Sequence, residues 1–168
     1  MKIILGNDLP LKRVAPDYVK VALISTAIIW GVVVAVLLVV SCVVTFATDS
    51  LVWRIIVWAV TAAMLIGAIV DAFLTPRRVR AIGYAELPEE LVIRAGLLFQ
   101  KLVLVPYGRM QQVNVETGPL LSRFGLAKIE LVTASATTNA SIEGLPLAEA
   151  ERLREKLMEL GGAHMEGI

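Results

Sequence analysis

The stretch RMQQVNVETGPLLSRFGLAKIELVTAS, residues 109–135, decides the fold of this chain. MQQVNVE alternates polar and apolar residues, as a strand with one half-buried face does, and AKIELVT alternates again. Between them, Gly118-Pro119 lets the chain leave the first strand sharply, and residues 119–124 are expected to form a short helical turn that Gly125 ends. The stretch therefore predicts a tight corner between two strands, and it holds no obvious nucleophile, base or metal ligand.

The residues on both sides of this corner predict further strands and a C-terminal helix. Leucine and alanine recur at three- and four-residue spacing from Leu147 to Leu160, after a proline suited to a first helical turn and before Gly161-Gly162. This pattern predicts an amphipathic helix that closes a small, mostly antiparallel β domain. Further strands are predicted at 79–85, 91–94, 98–105 and 140–144, the second and third as a hairpin around Ala95-Gly96.

The chain is too apolar for an ordinary soluble protein, and its first half is the reason. The mean hydropathy of the whole chain is +0.76, and residues 21–48 form a run of 28 without a charge. A bilayer needs roughly 20 such residues, so this run can span with tilt. Residues 55–70 reach spanning length with their flanks, and only a few residues around Asp49 and Ser50 separate the two runs. The sequence therefore predicts an antiparallel transmembrane hairpin and an α+β fold overall.

Basic residues flank the two spans on the same side. The connecting turn has only Arg54, so the positive-inside rule places both termini in the cytoplasm, at the inner membrane. The predicted organisation is an N-terminal cytoplasmic segment at 1–18, the hairpin at 19–75, a cytoplasmic β domain at 76–161 and a flexible tail at 162–168. The basic residues that precede or follow the spans are Lys2, Lys12, Arg13, Lys20, Arg77, Arg78 and Arg80.

Several side chains are candidates for contacts, with a structural alternative for each. Arg77, Arg78 and Arg80 either attract anionic headgroups or serve only as the topology signal. Arg109 and Arg123 either bind a partner or satisfy loop carbonyls and carboxylates such as that of Glu116.

Other candidates lie in the two spans. Lys20 and Asp71 either pair across the hairpin or extend separately to the headgroups. Small residues on the spans are suited to close helix packing, within the hairpin or against another protein: Gly31, Ala35, Ala59, Ala63 and Gly67.

The sequence motifs of the β domain and their order resemble those of bacterial pleckstrin-homology-like membrane proteins of the YdbS type. The resemblance runs from about Tyr18 to Leu160, and one departure is Thr133-Ala134-Ser135, where a glycine is frequent in the family. It implies a pleckstrin-homology-like scaffold held at the inner face of the membrane. The motifs that carry it are Arg109-x-Gln111-x-Val113, Gly118-Pro119-Leu120, Arg123, Phe124-Gly125-Leu126-Ala127 and IEGLPLAEAERLREKL at 142–157.

Nothing in the sequence predicts an enzyme. It has no phosphate-binding or dinucleotide glycine loop and no nucleophile elbow, and its one histidine, His164, has no companion at metal-ligand spacing. No cofactor, metal or small-molecule substrate is therefore expected. Nucleic acid is not expected either, since a net charge of +1 gives no overall attraction to phosphate backbones. The expected partners are membrane lipids and other membrane protein subunits.

Three functions remain open at this point. The first is a membrane-anchored scaffold that binds another protein, and the second is an accessory subunit of a larger respiratory or transport assembly. The third, recognition of anionic lipid headgroups, is less favoured because residues 77–168 contain 11 basic and 11 acidic residues.

Overall fold

The computed structural model describes residues 11–97, 99–133 and 140–166, without the side chains of 163–166. The chain forms two compact units, Lys20–Arg77 and a second unit composed of Met1–Val19 and Arg78–Ile168. The transmembrane hairpin is thus inserted into the β domain, between its N-terminal segment and the rest.

The hairpin unit consists of two long helices, α1 at Tyr18–Ala47 and α2 at Leu51–Arg80. Both are long and apolar enough to cross a membrane, as predicted. Only residues 48–50 lie between them, which confirms the tight connection.

Polar side chains join the two helices of the hairpin. Ser41 is fully buried, and its Oγ lies 2.8 Å from Thr61 Oγ1. Trp30 Nε1 donates to Asp71 Oδ2 at 3.1 Å. Hydrogen bonds between transmembrane helices contribute about 0.6 kcal/mol each on average. Trp30, Ser41 and Thr61, which the sequence pattern did not single out, therefore help to set the register of the hairpin together with Asp71.

The strand predicted at 79–85 is wrong in its first half. Helix α2 continues through Pro76 to Arg80, and the chain leaves it in a turn in which Ile82 N donates to Val79 O at 3.1 Å. Val79 lies in the last turn of α2 and its side chain is buried there. Its apolar character therefore reflects burial of a helical residue and not the start of a strand. The strand itself begins only at Gly83.

Two antiparallel sheets form the β domain. The first has the strand order β1-β2-β3-β4 and the second the order β5-β6-β7. The strands are β1 at Lys12–Arg13, β2 at Gly83–Glu86, β3 at Glu90–Ala95, β4 at Lys101–Pro106, β5 at Met110–Glu116, β6 at Leu126–Thr133 and β7 at Ala140–Pro146.

The predicted corner between two strands is confirmed. The short helix α3 occupies Pro119–Arg123 between β5 and β6, and Gly125 follows it with a φ of +64°. The C-terminal helix α4 begins at Leu147 as predicted but runs to Glu166, so Gly161-Gly162 does not end it. The fold class, a helical hairpin with an antiparallel β domain and a closing helix, is confirmed.

The core of the domain lies where α4 packs on the sheets. Ala150, Leu153 and Leu157 follow one helix face and are buried completely or almost so. They face strand residues that alternate inward, and each large apolar side chain so buried stabilises the fold by about 1.5–3 kcal/mol. The fully buried strand residues include Leu91, Val105, Ile129, Leu131 and Ile142.

The N-terminal segment adds a part of the domain that the sequence pattern did not predict. Strand β1 pairs with β2 at the edge of the first sheet. Further along, Ala15 N donates to Gly144 O at 2.9 Å, and the Tyr18 hydroxyl donates to the Glu143 carboxylate. Gly144 has a φ of +78°, and a Cβ there would lie 2.2 Å from the Tyr18 ring, so only glycine fits. This explains the glycine of the IEGL motif.

Some predictions fall outside the described residues. They concern residue 98 at the start of a predicted strand, residues 134–135 in the departure from the family motif, and residues 167–168 of the predicted tail.

Candidate functional site

Strand β4 lies at one edge of the first sheet. In the part of the chain that the structure describes, β4 pairs with β3 on one side and with no strand on the other. Such an edge presents unpaired backbone N–H and C=O groups. Leu104 on this strand is 45% exposed, while Leu102 and Val103 are half-buried.

A concavity of about 710 Å³ continues this edge at Pro106, where β4 ends. The buried Tyr107 adjoins the lining residues in sequence, and its hydroxyl donates to Leu87 O at 2.7 Å. Burial also raises the pKa of Tyr107. We call the outer edge of β4 with this concavity the β4 edge site. The concavity is lined by Leu87, Pro88, Glu89, Glu90, Pro106, Gly108 and Arg109.

The β4 edge site combines backbone, apolar and charged groups. Its concavity is lined by apolar residues together with two carboxylates and Arg109, and the backbone edge of β4 lies beside it. Among the described residues, no group of three or more His, Cys, Asp or Glu side chains could hold a metal ion.

A second polar cluster surrounds Glu86, whose side chain is only 10% exposed. Arg152 Nη2 lies 2.6 Å from Glu86 Oε1, and Lys156 Nζ lies 2.7 Å from Oε2. Lys12 of β1 and Glu149 of α4 extend the cluster, with Lys12 Nζ 3.1 Å from Glu86 Oε1 and 3.4 Å from Glu149 Oε1. We call these side chains, together with Tyr84, the Glu86 network.

Electrostatics fix the charge of this network. Burial by itself raises the pKa of Glu86, but hydrogen bonds from Arg152, Lys156 and Lys12 outweigh it and bring the pKa to about 2. The hydrogen bond from Arg152 is the main cause that lowers the pKa of Glu149 to about 2. Burial and the bond to Glu149, 2.8 Å long, raise the pKa of Tyr84.

The Glu86 network therefore joins β1, β2 and α4 through ion pairs, and in this sense it acts as a clasp between them. Its acids are satisfied by its bases, which leaves none of them as a general acid or base. Sequence reasoning treated Glu86 as part of a solvated charge run with Glu89 and Glu90, because its partners are 66 to 74 positions away. No local signal could have identified it.

The structure separates the arginines predicted as contacts. Arg77, Arg78 and Arg80 all lie in the last turn of α2 and are exposed. Arg109 lines the β4 edge site, whereas Arg123 is exposed on α3. Glu116, considered as a partner for Arg109 and Arg123, instead forms an ion pair with Lys128 at 3.6 Å.

The small residues of the spans also separate. Gly31, Ala35, Ala59 and Ala63 are exposed in the isolated chain, so their packing against another protein stays a prediction. Gly67 packs within the hairpin, since a Cβ there would lie 3.6 Å from the Trp30 ring. Asp71 accepts its hydrogen bond from Trp30, and its predicted pairing with Lys20 stays a prediction.

Comparison with known proteins agrees with this architecture. The profile of the family described as bacterial PH domain matches residues 11–161. The "UPF0699 transmembrane protein YdbS" of Bacillus subtilis (strain 168) is 32% identical over 155 residues, which cover 92% of this chain and 94% of that protein. No solved structure matches the chain significantly.

Proposed function

The chain belongs to the bacterial PH domain family, and from that premise we propose that it is a non-enzymatic interaction protein. Two spans anchor it in the membrane. Its β domain binds an extended segment of a partner protein along the β4 edge site, at the inner face of the plasma membrane.

The observation that carries this proposal is the open edge of β4. An extended peptide that adds to a sheet edge gains affinity from backbone hydrogen bonds and specificity from pockets for alternate side chains. The β4 edge site supports both, because the exposed Leu104 lies on the strand and the concavity opens at its end. The Glu89 and Glu90 carboxylates with Arg109 favour a partner segment that carries both signs of charge.

The inner-face location rests on charge. Seven basic residues flank the spans on the side of the termini and only Arg54 lies at the other end, and this asymmetry supports cytoplasmic termini. Fusion of a reporter that is active only in the cytoplasm to either terminus tests the orientation.

The experiment places a photo-crosslinking amino acid at Leu104 in the full-length, tagged protein in its native membrane. Purification in mild detergent and mass spectrometry then identify the crosslinked partner. Leu104→Lys should abolish co-purification of that partner, because lysine on an edge strand opposes pairing with a further strand. The matched control is Met158→Lys on α4, since Met158 is 54% exposed and outside the site.

The accessory-subunit alternative gives a different result. It predicts stoichiometric recovery of the subunits of one membrane complex that persists in Leu104→Lys and is lost when Ala63 on the exposed face of α2 is replaced by leucine. Equal recovery from all three variants and the unaltered chain would contradict both functions as stated.

A further inference from the structure

The turn between β3 and β4 exposes apolar side chains. Gly96 begins it with a φ of +105°, and a Cβ at this position would lie 2.1 Å from Phe99 O, so the turn is held tightly closed. Phe99 is 91% exposed, and Leu97 is exposed beside it. A phenylalanine so exposed at the tip of a tight turn leaves its whole ring in water unless another surface covers it.

A concavity of about 400 Å³ lies next to this turn. Three arginines and no acidic residue are among its lining residues, and Arg94 Nη2 donates to Gln100 Oε1 at 2.8 Å. Among the described residues, no carboxylate pairs with Arg13, Arg80 or Arg94. We call these three arginines with Leu97 and Phe99 the turn site.

The turn site contradicts the impression of a domain without local charge. Its arginines come from β1, from the end of α2 and from β3, positions 13, 80 and 94. Four acidic residues of the domain lie elsewhere, two in the Glu86 network and two in the β4 edge site. Guanidinium groups that converge without a carboxylate form a site for phosphate oxygens.

From this combination we propose that the turn site docks onto an anionic lipid bilayer. The Phe99 ring inserts among the acyl chains near the headgroups, and Arg13, Arg80 and Arg94 contact lipid phosphates. An apolar tip with a basic rim matches the chemistry of a membrane interface, where apolar burial and electrostatic attraction add.

The short connection between the second span and Arg80 is the reason to propose a lipid bilayer as the surface that the turn site binds. Arg80 is ten residues beyond Val70, the last residue of the uncharged run, which corresponds to about 15 Å along a helix. The turn site is therefore tethered within reach of headgroups, at a high effective concentration of lipid. This inference goes beyond the proposed function and does not depend on it.

The test uses the full-length chain with Cys42→Ser and Phe99→Cys, labelled at position 99 with a polarity-sensitive fluorophore. The protein is reconstituted in vesicles of phosphatidylcholine alone or mixed equally with phosphatidylglycerol. In the mixed vesicles we expect a blue shift and protection from a water-soluble quencher. A label at Met158→Cys in the same background should remain exposed in both.

Charge removal tests the arginines separately from the apolar tip. Arg13→Gln with Arg80→Gln should lower the ratio of docked to undocked domain about thirtyfold, because each arginine at an anionic surface contributes about 1 kcal/mol. Arg123→Gln with Arg154→Gln removes the same charge from other exposed positions and should leave docking unchanged. Arg77 and Arg78 are kept, so a basic flank of the span persists in both variants.

Three results would overturn the proposal. One is a label that stays quenchable in mixed vesicles, and another is a blue shift of equal size in phosphatidylcholine alone that survives loss of the arginines. The third is a blue shift in phosphatidylcholine vesicles on addition of inorganic phosphate alone, which would assign the site to a free phosphate compound.

Discussion

Replacing Glu86 with glutamine should destabilise the β domain without altering the hairpin. Gln keeps the size of the side chain but leaves Arg152, Lys156 and Lys12 without the carboxylate that they share. The pKa of Glu86 is about 2 against an ordinary value of 4.5, which corresponds to about 3 kcal/mol at about 1.4 kcal/mol for each pH unit.

The net loss is smaller because the three cations are about half exposed and water screens them. We expect Glu86→Gln to reduce the free energy of unfolding of the domain by about 1–2 kcal/mol, or to lower its Tm by about 5–10 °C. Hydrogen–deuterium exchange of peptides from β2 and β3 measures this loss, with hairpin peptides as an internal reference. The control is Glu155→Gln, which removes an exposed carboxylate from the same helix as Arg152.

The same substitution predicts a pH dependence. Because the folded pKa of Glu86 is depressed, its contribution is complete above about pH 4.5 and disappears as the pH falls toward 2. The unaltered protein should therefore lose stability across that range, and Glu86→Gln should lose less. Equal stability of Glu86→Gln and Glu155→Gln at pH 7, or an unchanged acid transition in Glu86→Gln, would refute the assignment of the clasp.

Two further substitutions test the packing of each unit. Gly144→Ala should cost the domain at least 2 kcal/mol in chemical denaturation, about 1 kcal/mol from the positive φ and the rest from displacement of the Tyr18 ring. Gly162→Ala, at an open helical position, should instead stabilise by about 0.5–1 kcal/mol, and equal effects at the two glycines would contradict this reasoning. Ser41→Ala should weaken the hairpin by about 0.6 kcal/mol in unfolding from mixed micelles, because Thr61 loses its partner across the helices. Cys42→Ala, at the exposed neighbouring position, should have no effect, and a loss as large as that of Ser41→Ala would argue against the interhelical bond.

Local periodicity was enough to predict most of the elements. The two spans follow from apolar length, β5 and β6 from alternation, and the start of α4 from its three- and four-residue spacing. Each of these signals is contained within ten to thirty consecutive residues, because the period of a helix or strand is a property of the backbone itself. Where two local interpretations competed, as at Val79 and at Gly161, the chain is helical, and at Val79 burial of the side chain accompanies the helix.

The candidate sites depend on positions that are far apart in the chain. Sequence reasoning identified Arg80 of the turn site and Arg109 of the β4 edge site. It could not show that Arg13 and Arg94 lie near Arg80, or that Leu87 and Pro106 lie near Arg109. The hairpin inserted after β1 separates Lys12 from Glu86 by 74 positions, yet the sheet places them 3.1 Å apart. By itself, the sequence determined most of the segments that become helices and strands, since that choice is largely made over a few turns of backbone. Only the tertiary structure decided which charges meet, where β1 pairs and which strands lie at the edges of the sheets, because strand pairing joins residues without regard to their distance along the chain.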